Sequence, residues 1–415
     1  MHQRYLLDIF IKIIGKTYLV FVYSIILGLT AFGFFYVNDY FASGTDFDSF
    51  YTAGKIVVGS DRDRLYDVEY QKSIQKERLA IRQDRTLLFK NPPFVGLLFV
   101  PLSELNYLRG YRVYFVINVL LLLIASFFLK KYIIPKDNNY YLLAFFLFWP
   151  ALVSVIVGQI SLLLVIISLF LYKFLKIKSY FYAGLISSLF LIKPQHIIII
   201  PYILFLKIHR RDYLIGFGTG VLILLFISVA SVGVKSLSGY PLFLLQTEEA
   251  IFGSDFKSYL TLGALLQTLK SKFGLESNFI YISNAILYFL SVVYFAIRSK
   301  KVPFEILFSS AFLLSLPFSI HAWEHDLVII AIPLIFILEF ANKARGISVK
   351  RILSLIFIIL FFSFLIRYIT WAFVTSFILI ASSVYLLSFF PASEISDEFS
   401  TTTPLRLKRR INPNV

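Results

Sequence analysis

FYAGLISSLFLIKPQHIIIIPYILFL runs from Phe181 to Leu206 and is almost wholly apolar except at Lys193-Pro194-Gln195. About 20 apolar residues suffice to cross a bilayer, so its length fits a span. Proline, however, removes a backbone donor and breaks a helix, and a lysine in hydrocarbon is expensive. Both flanks are basic, with Lys176 and Lys178 before the stretch and Lys207, Arg210 and Arg211 after it. A single span would leave one basic flank outside, against the bias of Lys and Arg toward cytoplasmic loops. The spacing therefore predicts two short helices that meet at Lys193–Gln195, with both flanks on the cytoplasmic side.

The rest of the chain supports a membrane reading. Of 415 residues, 58% are hydrophobic and only 15% charged. Soluble domains hold roughly 45–50% apolar residues. Apolar runs of 18 or more residues recur, and lipid demands that backbone groups be satisfied within the segment. This predicts an all-α polytopic membrane protein, a single integral domain over residues 1–415 with about 12 spans in the plasma (inner) membrane. The alternating ten-residue segments of a barrel are not seen. The net charge of +16 does not point to nucleic acid, because Lys and Arg cluster in short loops. No cysteine is present, which excludes disulfides, thiolate metal sites and a Cys nucleophile.

Charge placement orders the topology. Residues 1–16 carry Arg4, Lys12 and Lys16 and are expected in the cytoplasm, as is the basic tail at 391–415. After a helix at about 17–37, the long loop 38–108 holds nine Lys and Arg against ten Asp and Glu. Without a positive excess it belongs outside. Within it, residues 48–58 and 66–85 read as short helices. The second is amphipathic, suited either to lying on the membrane or to packing on the helix ends. Further helices are expected at about 111–128, 140–157, 160–175, 213–232, 278–297, 304–318 and 327–341, followed by a hairpin turning near Arg367. Residues 233–277 form a second outer loop.

This topology brings four polar constellations to the outer ends of helices. They are Asp46/Asp48, Gly158-Gln159, Lys193-Pro194-Gln195 and the stretch from His321 to Asp326. Asp46 precedes a short helix, so it reads either as an N-cap or as a general base, and the two roles are compatible. Asp48 reads as a cap or support. Lys193 reads as a snorkelling residue or as a cation for a phosphate group. His321 and His325, four apart, could hold a divalent metal with Glu324 or Asp326. The preferred reading has no metal and makes His325 a hydrogen-bond donor to an anionic substrate. The bland reading of Trp323 and His325 is an interfacial pair that anchors a helix.

Taken in order, several motifs resemble glycosyltransferase family 87, which includes polyprenyl-phosphate-mannose-dependent α-mannosyltransferases of the GT-C fold. They are Asp46-Phe47-x-x-Phe50-Tyr51-x-Ala53-Gly54, Gly59, Leu65-Tyr66-Asp67, Asn91-Pro92-Pro93-Phe94, Leu97-Leu98-Phe99-x-Pro101-Leu102, Gly158-Gln159, Lys193-Pro194-Gln195 and Trp323-x-His325. The likeness covers roughly residues 40–330. Two departures are Lys90, where an aromatic is expected, and Ser161, where Asn is commoner.

The resemblance implies a polyprenyl-phosphate-linked sugar donor, mannose or arabinofuranose, and a glycolipid or glycan acceptor, with transfer on the non-cytoplasmic side of the bilayer. It places Asp46, not Asp48, at the catalytic acidic position. Lys193 and His325 would face the donor phosphate, with Gln159, Gln195, Asp48, Tyr51, Trp323 and Arg367 in support, and no cofactor is expected. The rival readings are a transporter of lipid-linked sugars and a non-catalytic scaffold.

Overall fold

The computed structural model describes residues 20–78, 86–135, 140–255, 259–274, 277–300, 302–319, 322–344, 346–365 and 372–389. The basic N-terminal stretch, the tail at 391–415, His321 and Arg367 lie outside these residues. The fold is helical, and no strand occurs among the described residues.

Helix α1 (Val20–Ala31) ends in a π-helical turn over Phe32–Tyr36. The first long connection contains α2 (Phe47–Val58), α3 (Val68–Arg78) and α4 (Pro93–Leu98). Then come α5 (Tyr107–Tyr132), α6 (Tyr140–Leu147), α7 (Trp149–Ile156) and α8 (Ser161–Lys176). The expected helix at 140–157 is thus two pieces, broken where Pro150 follows Trp149 and Phe148 is extended. The stretch from Phe181 to Leu206 forms α9 (Tyr180–Ser187), two 3-10 segments (Ser188–Ile192 and Pro194–Ile199) and α10 (Ile200–Ile203). After them come α11 (Arg210–Asp255), α12 (Leu262–Phe273), α13 (Ser277–Arg298) and α14 (Phe304–Phe318). A 3-10 segment at Glu324–Ile330 leads into α15 (Ala331–Lys343), and α16 (Ile347–Phe361) and α17 (Val374–Phe389) complete the bundle.

Among the described residues, three helices are long and apolar enough to cross a membrane: α5, α11 over Arg210–Thr247 and α13 over Tyr281–Arg298. Shorter apolar helices lie at Val20–Ala31, Tyr180–Ile192, Phe304–Phe318 and Val374–Ser388. Helix α5 shows how the ends are set. The Asn106 side chain caps it by accepting the Arg109 N–H at 2.9 Å, and Lys130 and Lys131 occupy its negative C-terminal turn.

The break at Lys193 is real, and the chain turns back there. Lys193 is extended (φ −128°, ψ 94°) between the two 3-10 segments. Helices α9 and α11 run in the same sense, since Phe181 meets Gly216 and Ser188 meets Gly220. Two parallel neighbours require the intervening chain to return. The return leg follows α13, with Ile198 and Tyr202 bonded to Tyr288 and Ser291 in turn. The crossing of α9 and α11 is backbone to backbone. A Cβ on Gly184 would fall 1.9 Å from the Tyr213 carbonyl, and one on Gly216 would fall 1.9 Å from that of Phe181. Small residues allow such close approach of apolar helices.

The expected second loop at 233–277 is largely helical. Gly233 (φ 79°, ψ 167°) is non-helical and splits α11 into two helical pieces across a kink, and α12 closes on Gly274 in the left-handed conformation. Beyond the kink, α11 leans on the first connection. Tyr240 and Phe243 stack on Tyr66 at 4.6 and 5.1 Å, and the Tyr240 hydroxyl donates to the Lys90 carbonyl. The polar composition of 233–277 reflects a helix packed on protein.

Helix α3 packs on the bundle through polar groups. Gln71 and Gln75, four apart and so on one face, bond the backbone at Leu65, Leu87 and Phe89. Gln71 is fully buried, so its amide replaces hydrogen bonds the loop would otherwise lose. The membrane-surface alternative for this helix does not hold over Val68–Arg78.

Candidate functional site

Asp46 stands immediately before α2, yet its carboxylate does not cap that helix. Its N–H donates to the Val157 carbonyl at 3.0 Å and its carbonyl accepts from Ser49, so backbone alone fixes the residue. Local capping falls to Asp48, which accepts from the Gly44 N–H at 2.6 Å and from the Tyr107 hydroxyl. The family resemblance distinguishes these two acids, and their hydrogen bonds differ as well. Asp48 supports the turn, and the Asp46 carboxylate is directed elsewhere. Tyr51 is also structural, since its hydroxyl donates to the Leu105 carbonyl at 2.8 Å.

An aromatic layer holds this turn in place. Phe47 packs on Tyr51, Tyr107, Tyr111 and Tyr114, and Phe50 stacks on Phe99 at 4.5 Å. Pairs of this kind add about 0.5–1.5 kcal/mol each beyond burial. Helix α2 approaches so closely that a Cβ on Gly54 would lie 2.7 Å from the Phe99 carbonyl. Gly158, at φ 68°, makes the turn that brings Gln159 to Asp46, and the Gln159 amide hydrogen-bonds the carboxylate.

On the far side of Asp46 stands His325, with Nδ1 at 3.9 Å from Asp46 Oδ2 and Nε2 at 3.6 Å from Asp326 Oδ2. Asp326 is the hub of the site and is fully buried. Its Oδ1 receives the Lys193 ammonium at 2.5 Å, with His196 Nε2 and the Ser161 hydroxyl each at 3.4 Å. Its Oδ2 accepts the Trp323 N–H at 3.0 Å. Lys193 also donates to Ser161 at 3.1 Å. Ser161, a departure from the expected Asn, therefore still serves as a polar partner.

Two expectations change here. Lys193 is not a free phosphate clamp, because a buried ammonium without a counter-charge would be very costly and Asp326 supplies that charge. Gln195 takes no part in this cluster among the described residues. The residue that turns in is His196. Pro194 starts a 3-10 segment after the extended Lys193, and the side chains of both Lys193 and His196 reach Asp326 Oδ1. The break also opens the Ile192 carbonyl, and the Asn91 side chain satisfies it with a 2.6 Å bond. Tyr66 in turn donates to the Asn91 carbonyl at 2.8 Å. The Asn91-Pro92-Pro93 segment thus ties the first connection to the lysine.

The electrostatics divide the two acids, both of which lie in connections between spans. Burial pushes the Asp46 carboxyl up, and nearby Asp326 adds to this, while Gln159 and Lys193 act the other way. Burial also opposes charge on Asp326, but Lys193, His325 and His196 outweigh it and hold its carboxyl well below the usual range. The charged form of Asp326 is thus favoured, while burial disfavours that of Asp46. Access follows the same division. The side chain of Asp46 is 30% exposed and that of His325 12%, while Lys193, His196 and Asp326 are buried beneath them.

The sequence model of glycosyltransferase family 87 matches residues 89–319, more than half of the chain. The chain belongs to glycosyltransferase family 87. No curated protein and no solved structure gives a significant match. The matched span of this glycosyltransferase includes Asn91, Gln159, Ser161, Lys193 and His196, while Asp46, His325 and Asp326 lie outside it.

The remaining predicted site residues of the glycosyltransferase are quickly placed. Trp323 is half-buried, and its ring packs on Tyr259 at 4.9 Å beside the site. Arg367 and His321 lie outside the described residues. Among the described residues no group of three or more His, Asp and Glu is arranged to hold a metal ion.

Proposed function

We propose that this glycosyltransferase moves a sugar from a polyprenyl-phosphate donor to a hydroxyl acceptor, with inversion and with Asp46 as general base. Mannose is the expected sugar, by resemblance. The expected topology has about twelve spans, both termini in the cytoplasm and the site on the opposite side of the plasma membrane. One observation carries the reading: the Asp46 carboxylate is spared from capping, raised by burial and left accessible beside His325.

In the proposed reaction the acceptor oxygen attacks the anomeric carbon and its proton passes to Asp46. The bond from that carbon to the phosphate oxygen breaks, and the lipid phosphate leaves with the electron pair. His325, whose Nε2 lies 3.6 Å from Asp326 Oδ2, donates to the leaving phosphate. Its 3.9 Å separation from Asp46 is longer than a hydrogen bond, so the two groups are not joined directly. Lys193 acts as a positioning residue that holds Asp326 in place. A donor group of fixed orientation in a dry site is effective against developing charge.

The test is transfer from a polyprenyl-phosphate-sugar donor by the purified protein in detergent, with the product anomer read by NMR. An inverted anomer supports the mechanism. Retention of configuration, or donor movement with no product, would reject it, and the second outcome would favour the transporter.

A further inference from the structure

A cleft of about 750 Å³ opens at the opposite end of the return leg from Lys193. The eleven residue steps from Lys193 to Leu204 separate it from the Asp46 cluster by about 20 Å of helix rise. Its rim carries Lys207, Arg210 and Lys300, contributed by two separate segments. Its wall is apolar, formed by Phe289, Val293 and Ile297 of α13. That wall continues the most open face of the bundle, since only 6% of the Tyr281–Arg298 window is buried.

We propose that this cleft binds an anionic phospholipid, with the phosphate on Lys207, Arg210 and Lys300 and an acyl chain along Ile297, Val293 and Phe289. Two features distinguish it from an ordinary basic helix end. First, among the described residues none of the three cations has a carboxylate partner, and the neighbouring Asp212 is taken by His209 at 3.0 Å. Second, the guanidinium of Arg210 is fixed, with Nε donating to the Leu204 carbonyl at 2.9 Å and the group lying over the Phe205 ring. A phosphate can bond to a guanidinium held in this way, while an acyl chain suits the apolar wall. A soluble anion would leave that wall unused.

The experiment is native mass spectrometry of the delipidated full chain titrated with phosphatidylglycerol or phosphatidylcholine, beside the double variant K207Q/K300Q. Both lysines are exposed, so the variant should keep its fold, and K207R/K300R controls for charge. The expected result is selective retention of phosphatidylglycerol by the wild type and the Arg variant, weakened about 30-fold in K207Q/K300Q. Equal binding of the two lipids, unchanged phosphatidylglycerol binding by K207Q/K300Q, or displacement by millimolar inorganic phosphate would overturn the proposal. So would occupation of the cleft by a second copy, seen as a dimer that excludes lipid. Transfer activity is not part of the readout, so failure here is separate from failure of the proposed reaction.

Discussion

The Lys193 ammonium lies 2.5 Å from the Asp326 carboxylate, and both groups are buried. The strongest charges at the site are thus already paired, and they join the broken helix to the segment that carries His325. Removing one partner leaves an uncompensated buried charge. Lys193→Met or Asp326→Leu alone should each lower stability by about 3–5 kcal/mol, and the double variant by clearly less than the sum. Denaturant unfolding in detergent would measure this, and additive losses would show that the pair is not coupled.

Asp46 sets the acid limb of the pH profile. Burial raises its carboxyl, so kcat/KM should rise with pH through a midpoint above the ordinary carboxylate value of about 3.9. Gln159 favours the charged form, so Gln159→Leu should move that limb to higher pH. An unmoved limb would remove Gln159 from contact with the base.

The same shift has a stability consequence. A carboxyl whose pKa is raised on folding binds more protons in the native state than in the unfolded one. Its contribution is favourable at low pH and is lost as pH rises through the raised value. At neutral pH Asp46 therefore destabilises the fold, and Asp46→Asn should raise the melting temperature while removing activity. Activity commonly carries such a cost in stability. A lower melting temperature for this variant would show that the carboxylate is structural.

Gly184 and Gly216 set the spacing of α9 and α11, and through α9 the position of Lys193. Gly184→Ala places a methyl group against the Tyr213 carbonyl, where only backbone movement can relieve the clash. A loss of at least about 1–3 kcal/mol is expected, with activity falling in parallel. Thermal unfolding and transfer rates would check both.

Asn91→Leu should unpair the Ile192 carbonyl, at about 1–3 kcal/mol for a buried acceptor. The expected signature is a fall in kcat together with stability, because the lysine turn loosens. Unchanged unfolding would mean that water replaces the amide.

The broad plan was legible in the sequence because it follows from hydropathy and charge. The polar interruption in Phe181–Leu206, with basic residues on both sides, was enough to predict a chain that turns back at Lys193. The pairing of α9 with α11 agrees with it. Asp46 and Asp48 were told apart through the family resemblance; in the structure Asp48 takes the local hydrogen bonds and the Asp46 side chain does not cap the helix. Other features depended on local geometry that composition conceals. His196 was hidden beside Gln195 because the extended Lys193 and the break at Pro194 leave no regular period from which to read which side chain turns in. Asp326 appeared only as an alternative metal ligand, and its role emerges from contacts more than 130 residues away in sequence. The helix end expected at residue 232 is met by the non-helical Gly233, and a second helical piece follows it.

The central claim is that Asp46 accepts the proton in sugar transfer. Its most direct test is the rate of transfer by folded Asp46→Asn protein, from a radiolabelled polyprenyl-phosphate-sugar donor under saturating acceptor. A loss of about 10²–10⁴-fold with donor binding retained is the result predicted for a general base. Transfer at the wild-type rate by the folded variant would contradict it.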